Sequence, residues 1–296
     1  MATIAIVGVG AIGGTMAAHL YQANDEHEIV LCVRERFATL HLQYPEGEVV
    51  AKPKVMTHPF EGTVVDWVLF ATKAHQTVAA TPWVKSLCDN NTRVAVLQNG
   101  VEQVDRLRPF VAAGQILPVV IDCPAVRVKP GFILQKGDAN LTVEDSENGQ
   151  DFKQLFSQSA ITVTVSDDIK TAMWQKLCVN VAGGAIAALT DQPLAVLHQR
   201  GMAELARSLI DECIKVGRCE GANLKDELGA EIVSSMLENS KQSLTSMLVD
   251  KRAGKPLEVD ARNGAVVRLG KKHGIATPLN EMATVLLATV NSQNLW

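Results

Sequence analysis

A lysine and an asparagine, Lys176 and Asn180, interrupt the otherwise apolar stretch MWQKLCVNVAGGAIAAL at 173–189. Residues four apart share one face of a helix, so both side chains are expected to project to the same side. An ammonium beside a carbonyl oxygen can stabilise growing negative charge and supply a proton. The alternative is a lysine whose stem is buried while its ammonium only reaches water, and a buried amide still needs partners.

A second group of polar residues lies in SLTSMLVDKRAGKPLEVDARNG at 243–264. Pro256 suits the first position of a helix, which predicts a helix over 256–273 with Glu258 in its first turn. The helix dipole there favours the ionised carboxylate. Glu258 is therefore either a functional carboxylate or a simple helix cap, and Ser246 either a binding residue or an ordinary surface residue.

The glycines GVGAIG at 8–13 follow a short apolar strand and precede a helical pattern. Gly8 permits a tight turn, Gly10 lets the main chain approach a bulky anion, and Gly13 lets the new helix pack closely on the strand. The backbone N–H groups and the positive end of that helix favour a phosphate. This spacing is the dinucleotide-binding fingerprint, and its alternative is a glycine-rich turn that binds nothing.

The elements that must position these residues change in character along the chain. The first half alternates apolar strands with helices, which predicts a doubly wound, Rossmann-type parallel sheet covered on both faces. Ligands bind such sheets beyond the carboxyl ends of the strands. The segments expected around that crevice are Gly8–Gly13, Arg34, Thr72–Lys73 and Asn99–Gly100.

After about residue 166 the pattern is helical almost throughout, with breaks at glycine and proline. The predicted domains are therefore a dinucleotide-binding domain over 1–166 and an all-helical substrate and catalytic domain over 167–296. The predicted helices of the second domain cover 167–190, about 200–220, 225–239, 243–252, 256–273 and 278–292.

Arg34 stands at the end of the second predicted strand, where a site for NAD usually carries an acidic residue. A guanidinium there could bind the 2′-phosphate of NADP, and Arg36 could assist it. Glu35 between them would favour NAD if it pointed inward. The sequence thus favours NADP, with NAD or three solvated loop charges as the alternatives.

Composition excludes several classes of protein. The 296 residues carry a net charge of −4 with no basic run, which argues against a nucleic-acid partner. No apolar stretch reaches membrane-spanning length, and the first strand begins too early for a signal peptide. The six cysteines have no metal-binding spacing, so no metal site is expected. They predict a cytoplasmic protein whose thiols are reduced.

The whole chain resembles the ketopantoate reductase family. The resemblance is carried by GVGAIGG at the N-terminus, TKAHQ (72–76), LQNGV (97–101), AVRVKPG (125–131), WQKLCVN (174–180) and SMLVDKRAGKPLEVDARNG (246–264). It implies NADPH-dependent reduction of a 2-oxo acid to a 2-hydroxy acid, with ketopantoate and pantothenate biosynthesis as the expected substrate and pathway. The oligomeric state stays open, with a homodimer as one candidate.

The resemblance also implies roles for individual residues. Lys176 and Glu258 match catalytic positions, and the implied substrate contacts are Asn99, Asn180 and Ser246. The implied cofactor contacts are Gly8, Gly10, Ala11, Ile12, Gly13, Arg34, Lys73, Gln76, Asn99, Ala125 and Glu258.

Two departures from the family pattern bear on the substrate. Gly184 and Ser243 stand where the family often has asparagine, so fewer side-chain amides are available to hold it. Two other functions therefore stay open: a related hydroxyacid dehydrogenase with a different 2-oxo acid, and a non-catalytic NADP-binding sensor. The retained Lys176 and Glu258 argue against the sensor, which would need no proton donor.

Overall fold

The computed structural model describes residues 1–23, 27–238 and 244–292, with side chains described as far as residue 290. The strands are β1 (Thr3–Val7), β2 (Glu28–Cys32), β3 (Leu40–Tyr44), β4 (Gly47–Ala51), β5 (Lys54–Met56), β6 (Trp67–Phe70), β7 (Arg93–Val96), β8 (Ile116–Pro118), β9 (Val120–Asp122), β10 (Ala125–Lys129), β11 (Phe132–Gln135), β12 (Ala139–Glu144) and β13 (Ile161–Ser166). The α-helices are α1 (Ala11–Ala23), α2 (Thr77–Leu87), α3 (Gln103–Leu107), α4 (Glu147–Leu155), α5 (Ile169–Val179), α6 (Ala185–Thr190), α7 (Met202–Cys219), α8 (Leu228–Glu238), α9 (Ser246–Arg252), α10 (Asn263–His273) and α11 (Pro278–Ser292).

The chain divides into two compact units between Ile169 and Lys170. All the strands given above belong to the first unit, and helices α6 to α11 belong to the second. The domain boundary predicted from the sequence lies between residues 166 and 167, at the end of β13. None of the helices within the described residues is both long and apolar enough to span a membrane.

The largest sheet of the first unit has six parallel strands in the order β5-β2-β1-β6-β7-β8. Alternate residues of β1 face opposite cores: Ile4 and Ile6 pack with α1, whereas Ala5 and Val7 pack with the apolar side chains of α2. Because both faces are covered, the central strands β1, β6 and β7 are apolar except for Thr3 and Arg93 at their first positions. The predicted fold class, a doubly wound α/β unit followed by helices, is confirmed.

Two smaller sheets accompany the parallel sheet. One has the order β10-β11-β3-β4, and α1 packs between it and the parallel sheet. The other has the order β13-β12-β9. The hairpin of β3 and β4 was not predicted, and the short strands predicted after residue 115 are divided among the three sheets.

Helices α5 and α6 of the second half form one rod, interrupted by a single π-helical turn at Asn180–Gly184. Such turns insert an extra residue into a helix and often occur at functional sites. The predicted helix over 256–273 is wrong at its start, because α10 begins only at Asn263. Residues 255–258 are irregular, and a turn closed by a hydrogen bond from Arg262 N to Val259 O precedes the helix.

Candidate active site

The carboxyl ends of four neighbouring strands lie side by side in the parallel sheet. The register pairs Val7 of β1 with Cys32 of β2 and with Phe70 of β6, and pairs Phe70 with Val96 of β7. The strand order reverses between β1 and β6, and open α/β sheets bind ligands at such a switch point. The loops that leave this edge are Gly8–Gly10, Val33–Arg34, Ala71–Lys73 and Leu97–Asn99.

The three glycines of the GVGAIG motif, Gly8, Gly10 and Gly13, have different environments. Gly8 has φ +95°, and a Cβ there would lie 2.8 Å from Thr72 N. A Cβ on Gly13 would lie 2.3 Å from the carbonyl oxygen of Gly8. At Gly10, by contrast, an added Cβ would meet no atom of the described residues within 4 Å.

This difference is what a dinucleotide site requires. Gly8 and Gly13 are fixed by packing of the chain on itself, whereas Gly10 is a bare stretch of backbone beside open space at the start of α1. A methyl group at Gly10 would fill the space that a pyrophosphate needs in order to reach the backbone N–H groups. Ala11 and Ile12 form the first turn of α1 there, so the loop fits the pyrophosphate of a dinucleotide.

A buried glutamine that was not predicted from the sequence as a functional residue supports the neighbouring loops. The side chain of Gln98 is 3% exposed, and its Nε2 donates to Thr72 Oγ1 at 3.1 Å and to Thr77 Oγ1 at 3.0 Å. Gln98 therefore joins the loop after β6 to the loop after β7. These loops carry Lys73 and Asn99, both half-buried. A polar residue at the end of an apolar strand, as in AVLQN, is the signal that could have found it.

The two arginines after β2 have different surroundings. Arg34 is exposed at the strand end. Arg36 Nη2 contacts Glu61 Oε2 at 2.9 Å, and its Nη1 donates to Val55 O at 2.9 Å. Hydrogen bonds from the backbone N–H groups of Thr57 and His58 lower the pKa of Glu61, and Arg36 adds to this. Arg36 therefore anchors the 3₁₀ turn that carries Glu61.

Two further predicted cofactor residues lie on other elements of the first unit. Gln76 ends a 3₁₀ turn, Ala74–Gln76, directly before α2. Ala125 begins β10, which belongs to the four-stranded sheet and not to the parallel sheet. It is half-buried, and its strand packs against α1.

In the second unit, Lys176 and Asn180 lie on the rod formed by α5, the π turn and α6. Lys176 is in the last turn of α5, and Asn180 opens the π turn; both are half-buried. Asn263, fully buried at the start of α10, donates from Nδ2 to the carbonyl oxygen of Val181 at 3.0 Å and to Asn280 Oδ1 at 3.0 Å. This bond satisfies a carbonyl of the π turn and holds the turn that begins with Asn180.

The carboxylate of Glu258 is buried at 4% exposure and lies outside any helix. The prediction that it occupies the first turn of a helix is therefore wrong. Its Oε2 lies 3.4 Å from Nη2 of Arg262, and the same Nη2 donates to Ser246 Oγ at 2.9 Å. Ser246 is exposed at the first position of α9. The structure thus brings Ser246 and Glu258 together through Arg262, which the sequence analysis missed.

Glycines at 183 and 184 leave no empty space on the rod. A Cβ on Gly183 would lie 3.3 Å from Met236 Cε, and one on Gly184 would lie 3.1 Å from Arg262 Nη1. Glycine in a helix costs about 1 kcal/mol relative to alanine, and close packing of neighbours is the reason these positions accept it. Ser243, the second departure from the family pattern, lies outside the described residues. Within those residues no cluster of metal-ligating side chains is present.

Both halves of the chain match models of one family. The model described as "Ketopantoate reductase PanE/ApbA" matches residues 4–148, and "Ketopantoate reductase PanE/ApbA C terminal" matches residues 168–291. A 2-dehydropantoate 2-reductase of Caulobacter vibrioides is 42% identical over 97% of this chain and 98% of its own length. One of Mycobacterium tuberculosis is 37% identical over 98% of this chain and 99% of its own length.

Solved structures agree with these sequence matches. A PanE/ApbA family ketopantoate reductase from Ralstonia eutropha has a TM-score of 0.92 and 28% identity, covering 99% of this chain and 100% of that one. A dimeric ketopantoate reductase from Staphylococcus aureus has a TM-score of 0.88 and 25% identity, covering 99% of both chains. D-mandelate dehydrogenase in complex with NADH has a TM-score of 0.86 and 25% identity, covering 98% of this chain and 99% of that one. The chain therefore belongs to the ketopantoate reductase family, as its sequence motifs indicated.

Proposed function

We propose that this protein is an oxidoreductase that reduces 2-dehydropantoate (ketopantoate) to pantoate with NADPH, a step of pantothenate and coenzyme A biosynthesis. The observation that carries the proposal is the 42% identity to a 2-dehydropantoate 2-reductase over 97% of the chain. The family models, which match residues 4–148 and 168–291, include the glycine loop of the first unit and the Lys176, Ser246 and Glu258 segments of the second.

The proposed cofactor is a nicotinamide dinucleotide, and more narrowly NADPH. The open backbone at Gly10 supports a pyrophosphate site, and the exposed guanidinium of Arg34 at the end of β2 supports recognition of the 2′-phosphate. Arg36 bonds Glu61 and Val55, so Arg34 is the residue assigned to the phosphate. The other assigned cofactor contacts are Gly8, Ala11, Ile12, Gly13, Lys73, Gln76, Asn99, Ala125 and Glu258.

When bound, the reduced nicotinamide supplies the hydride that converts the keto carbon of the substrate into an alcohol carbon. Lys176 is assigned as the general acid: its ammonium hydrogen-bonds the ketone oxygen, stabilises the negative charge that grows there and donates the proton. Asn180, one turn along the same rod, is assigned to orient the substrate. Asn99 is assigned as a further contact of the substrate.

Glu258 and Ser246 are assigned to the other polar groups of the substrate. The buried Glu258 is an acceptor that can hold the ammonium of Lys176 or the new hydroxyl in place. Ser246 is exposed at the start of α9, where its hydroxyl can donate to a carboxylate. A carboxylate beside the keto group is the feature that all 2-oxo acids share.

A related hydroxyacid dehydrogenase with another substrate is the second candidate. The observation that favours it is the likeness to D-mandelate dehydrogenase, together with Gly184 in place of an amide side chain. The two candidates share their chemistry and differ in the group that the 2-oxo acid carries.

The proposal is tested by following NADPH oxidation at 340 nm with ketopantoate, its deoxy analogue 2-oxo-3,3-dimethylbutanoate, and phenylglyoxylate. The proposal expects ketopantoate to have the highest kcat/KM, and NADPH to be preferred over NADH. Faster reduction of phenylglyoxylate would favour the dehydrogenase. Binding of NADPH without reduction of any of the three would favour the non-catalytic sensor.

The remaining assignments concern assembly and location. A homodimer is proposed because a relative of the same family is dimeric, and light scattering coupled to size-exclusion chromatography would report it. A cytoplasmic location stays a prediction from the sequence. A small 2-oxo acid is the partner that the family membership supports, and neither nucleic acid nor membrane is part of the proposal.

A further inference from the structure

Arg262 is the largest of the fully buried side chains, with 2% exposure. Arginine is almost never fully buried unless its charge is paired, because removing a guanidinium from water is costly.

The guanidinium of Arg262 reaches two polar residues and one glycine. Nη2 donates to Ser246 Oγ at 2.9 Å and lies 3.4 Å from Glu258 Oε2, whereas Nη1 lies 3.1 Å from the position of a Cβ on Gly184. Nε has no acceptor within the described residues. The side chain thus contributes to the cluster of Ser246 and Glu258 without satisfying all of its own donors, which is not the arrangement that stability alone would select.

The bond from Arg262 determines how the hydroxyl of Ser246 can act. A serine hydroxyl has one hydrogen to donate and two lone pairs that accept. Because Oγ accepts from the buried guanidinium, its hydrogen is left to donate on the exposed side of Ser246. A positive charge on the acceptor side also strengthens the hydroxyl as a donor, since linked hydrogen bonds polarise one another.

We propose that Arg262 is a positioning residue, which holds the Ser246 hydroxyl as a donor toward the carboxylate of the 2-oxo acid. The inference rests on the proposed function, in which Ser246 contacts that carboxylate. Gly184 contributes to the same arrangement: a Cβ there would lie 3.1 Å from Nη1, so the glycine leaves room for the guanidinium. The polar group next to position 184 is therefore supplied by Arg262 from another element.

The test is a double-mutant cycle between Arg262→Lys and Ser246→Ala. Lysine retains the charge but loses the planar, multiply donating head. In the wild-type background, Arg262→Lys should raise KM for ketopantoate about ten- to a hundredfold and change kcat by less than about threefold. In the Ser246→Ala background, the same substitution should change kcat/KM by less than about threefold, because the hydroxyl through which it acts is gone. The Kd for NADPH should stay the same in all four proteins.

A merely structural role would give a different result. The loss caused by Arg262→Lys would then persist in the Ser246→Ala background, and the proposal would be overturned. If Arg262→Lys does not fold, as judged by its melting temperature, Gly184→Ala replaces it in the cycle, because the added methyl would lie 3.1 Å from Nη1 and crowd the guanidinium without removing it. A smaller rise in KM, absent in the Ser246→Ala background, is expected.

The two proposals can fail separately. The wild-type enzyme alone tests the reduction of ketopantoate. If it prefers another 2-oxo acid, the cycle is measured with that acid, and the Arg262 proposal stands or falls on the same ratios. If the wild type reduces none, calorimetric titration with pantoate in the presence of NADP⁺ gives the ratios as Kd values; absence of binding there overturns the Arg262 proposal as well.

Discussion

A Cβ placed on Gly13 would lie 2.3 Å from the carbonyl oxygen of Gly8, closer than any real contact allows. The start of α1 is therefore pressed onto the turn that leaves β1. Gly10, between these two residues, has open space where its own Cβ would be. The three glycines of one motif consequently have different surroundings: two are packed against the chain and one lies beside open space.

Gly10→Ala should leave the fold intact and weaken the binding of the cofactor. The added methyl meets no described atom, so the melting temperature should stay within about 2 °C, corresponding to a surface change below about 0.5 kcal/mol. It should raise the Kd for NADPH at least about tenfold, because it occupies the approach of the pyrophosphate. Fluorescence titration and thermal melting measure the two effects.

Gly13→Ala is the matched control, and overpacking should destabilise it by about 1–3 kcal/mol. Equal melting temperatures and equal Kd values for the two variants would contradict this division of roles.

Arg34→Ala should weaken the binding of NADPH much more than the binding of NADH. Loss of a charge-assisted contact with the 2′-phosphate should raise the Kd for NADPH about ten- to a hundredfold while changing that for NADH by less than about threefold. Arg36→Ala is the control, since that guanidinium bonds Glu61 and Val55 O. It should affect both cofactors alike. Equal losses for NADPH and NADH in Arg34→Ala would remove Arg34 from the phosphate site.

The buried His19 should make stability depend on pH. Burial lowers its pKa below 6.5, although the hydrogen bond with Gln135 partly opposes the shift. Gln135 Nε2 donates to Gly137 O, so its Oε1 accepts from the neutral imidazole. In the unfolded chain this histidine binds a proton near pH 6.5, whereas in the folded chain it does so only at a lower pH. The stabilisation by neutral His19 is therefore complete above pH 6.5 and is lost as the pH falls below that value.

Urea unfolding at pH 7.5 and pH 5.5 would measure this contribution. The free energy of unfolding should fall less between these two values in His19→Asn than in the wild type. His58→Asn, which removes an exposed histidine, serves as the control and should behave like the wild type. A wild-type pH dependence that His19→Asn leaves unchanged would show that His19 is not the group responsible.

The sequence predicted best what depends on local chemistry. Gly8, Gly10 and Gly13 define their turn through backbone conformation and close approach, which are properties of single residues and their spacing. Apolar strands of a covered parallel sheet likewise stand out because both faces are buried. The parallel register then places the ends of the four strands at one edge of the sheet, at Val7, Cys32, Phe70 and Val96.

What the sequence could not supply depends on contacts between distant segments. Pro256 predicts a helix start, yet Glu258 turns inward to a buried arginine and α10 begins only at Asn263. Arg262 lies within the helix predicted over 256–273, and nothing in the sequence indicates its burial, because arginine is mostly exposed in folded proteins. Gln98 and Asn263 were missed for the same reason: each is polar, and only the folded chain shows what it bonds.

The most direct measurement is kcat for Lys176→Ala with ketopantoate and NADPH. The assignment of Lys176 as general acid predicts a loss of about 10²- to 10⁴-fold, with little change in the Kd for NADPH. Lys170→Ala is the matched control, because Lys170 is an exposed lysine of the same helix, and it should keep the wild-type rate. If kcat of Lys176→Ala stays within about tenfold of the wild-type value, Lys176 does not donate the proton and the proposed mechanism is wrong.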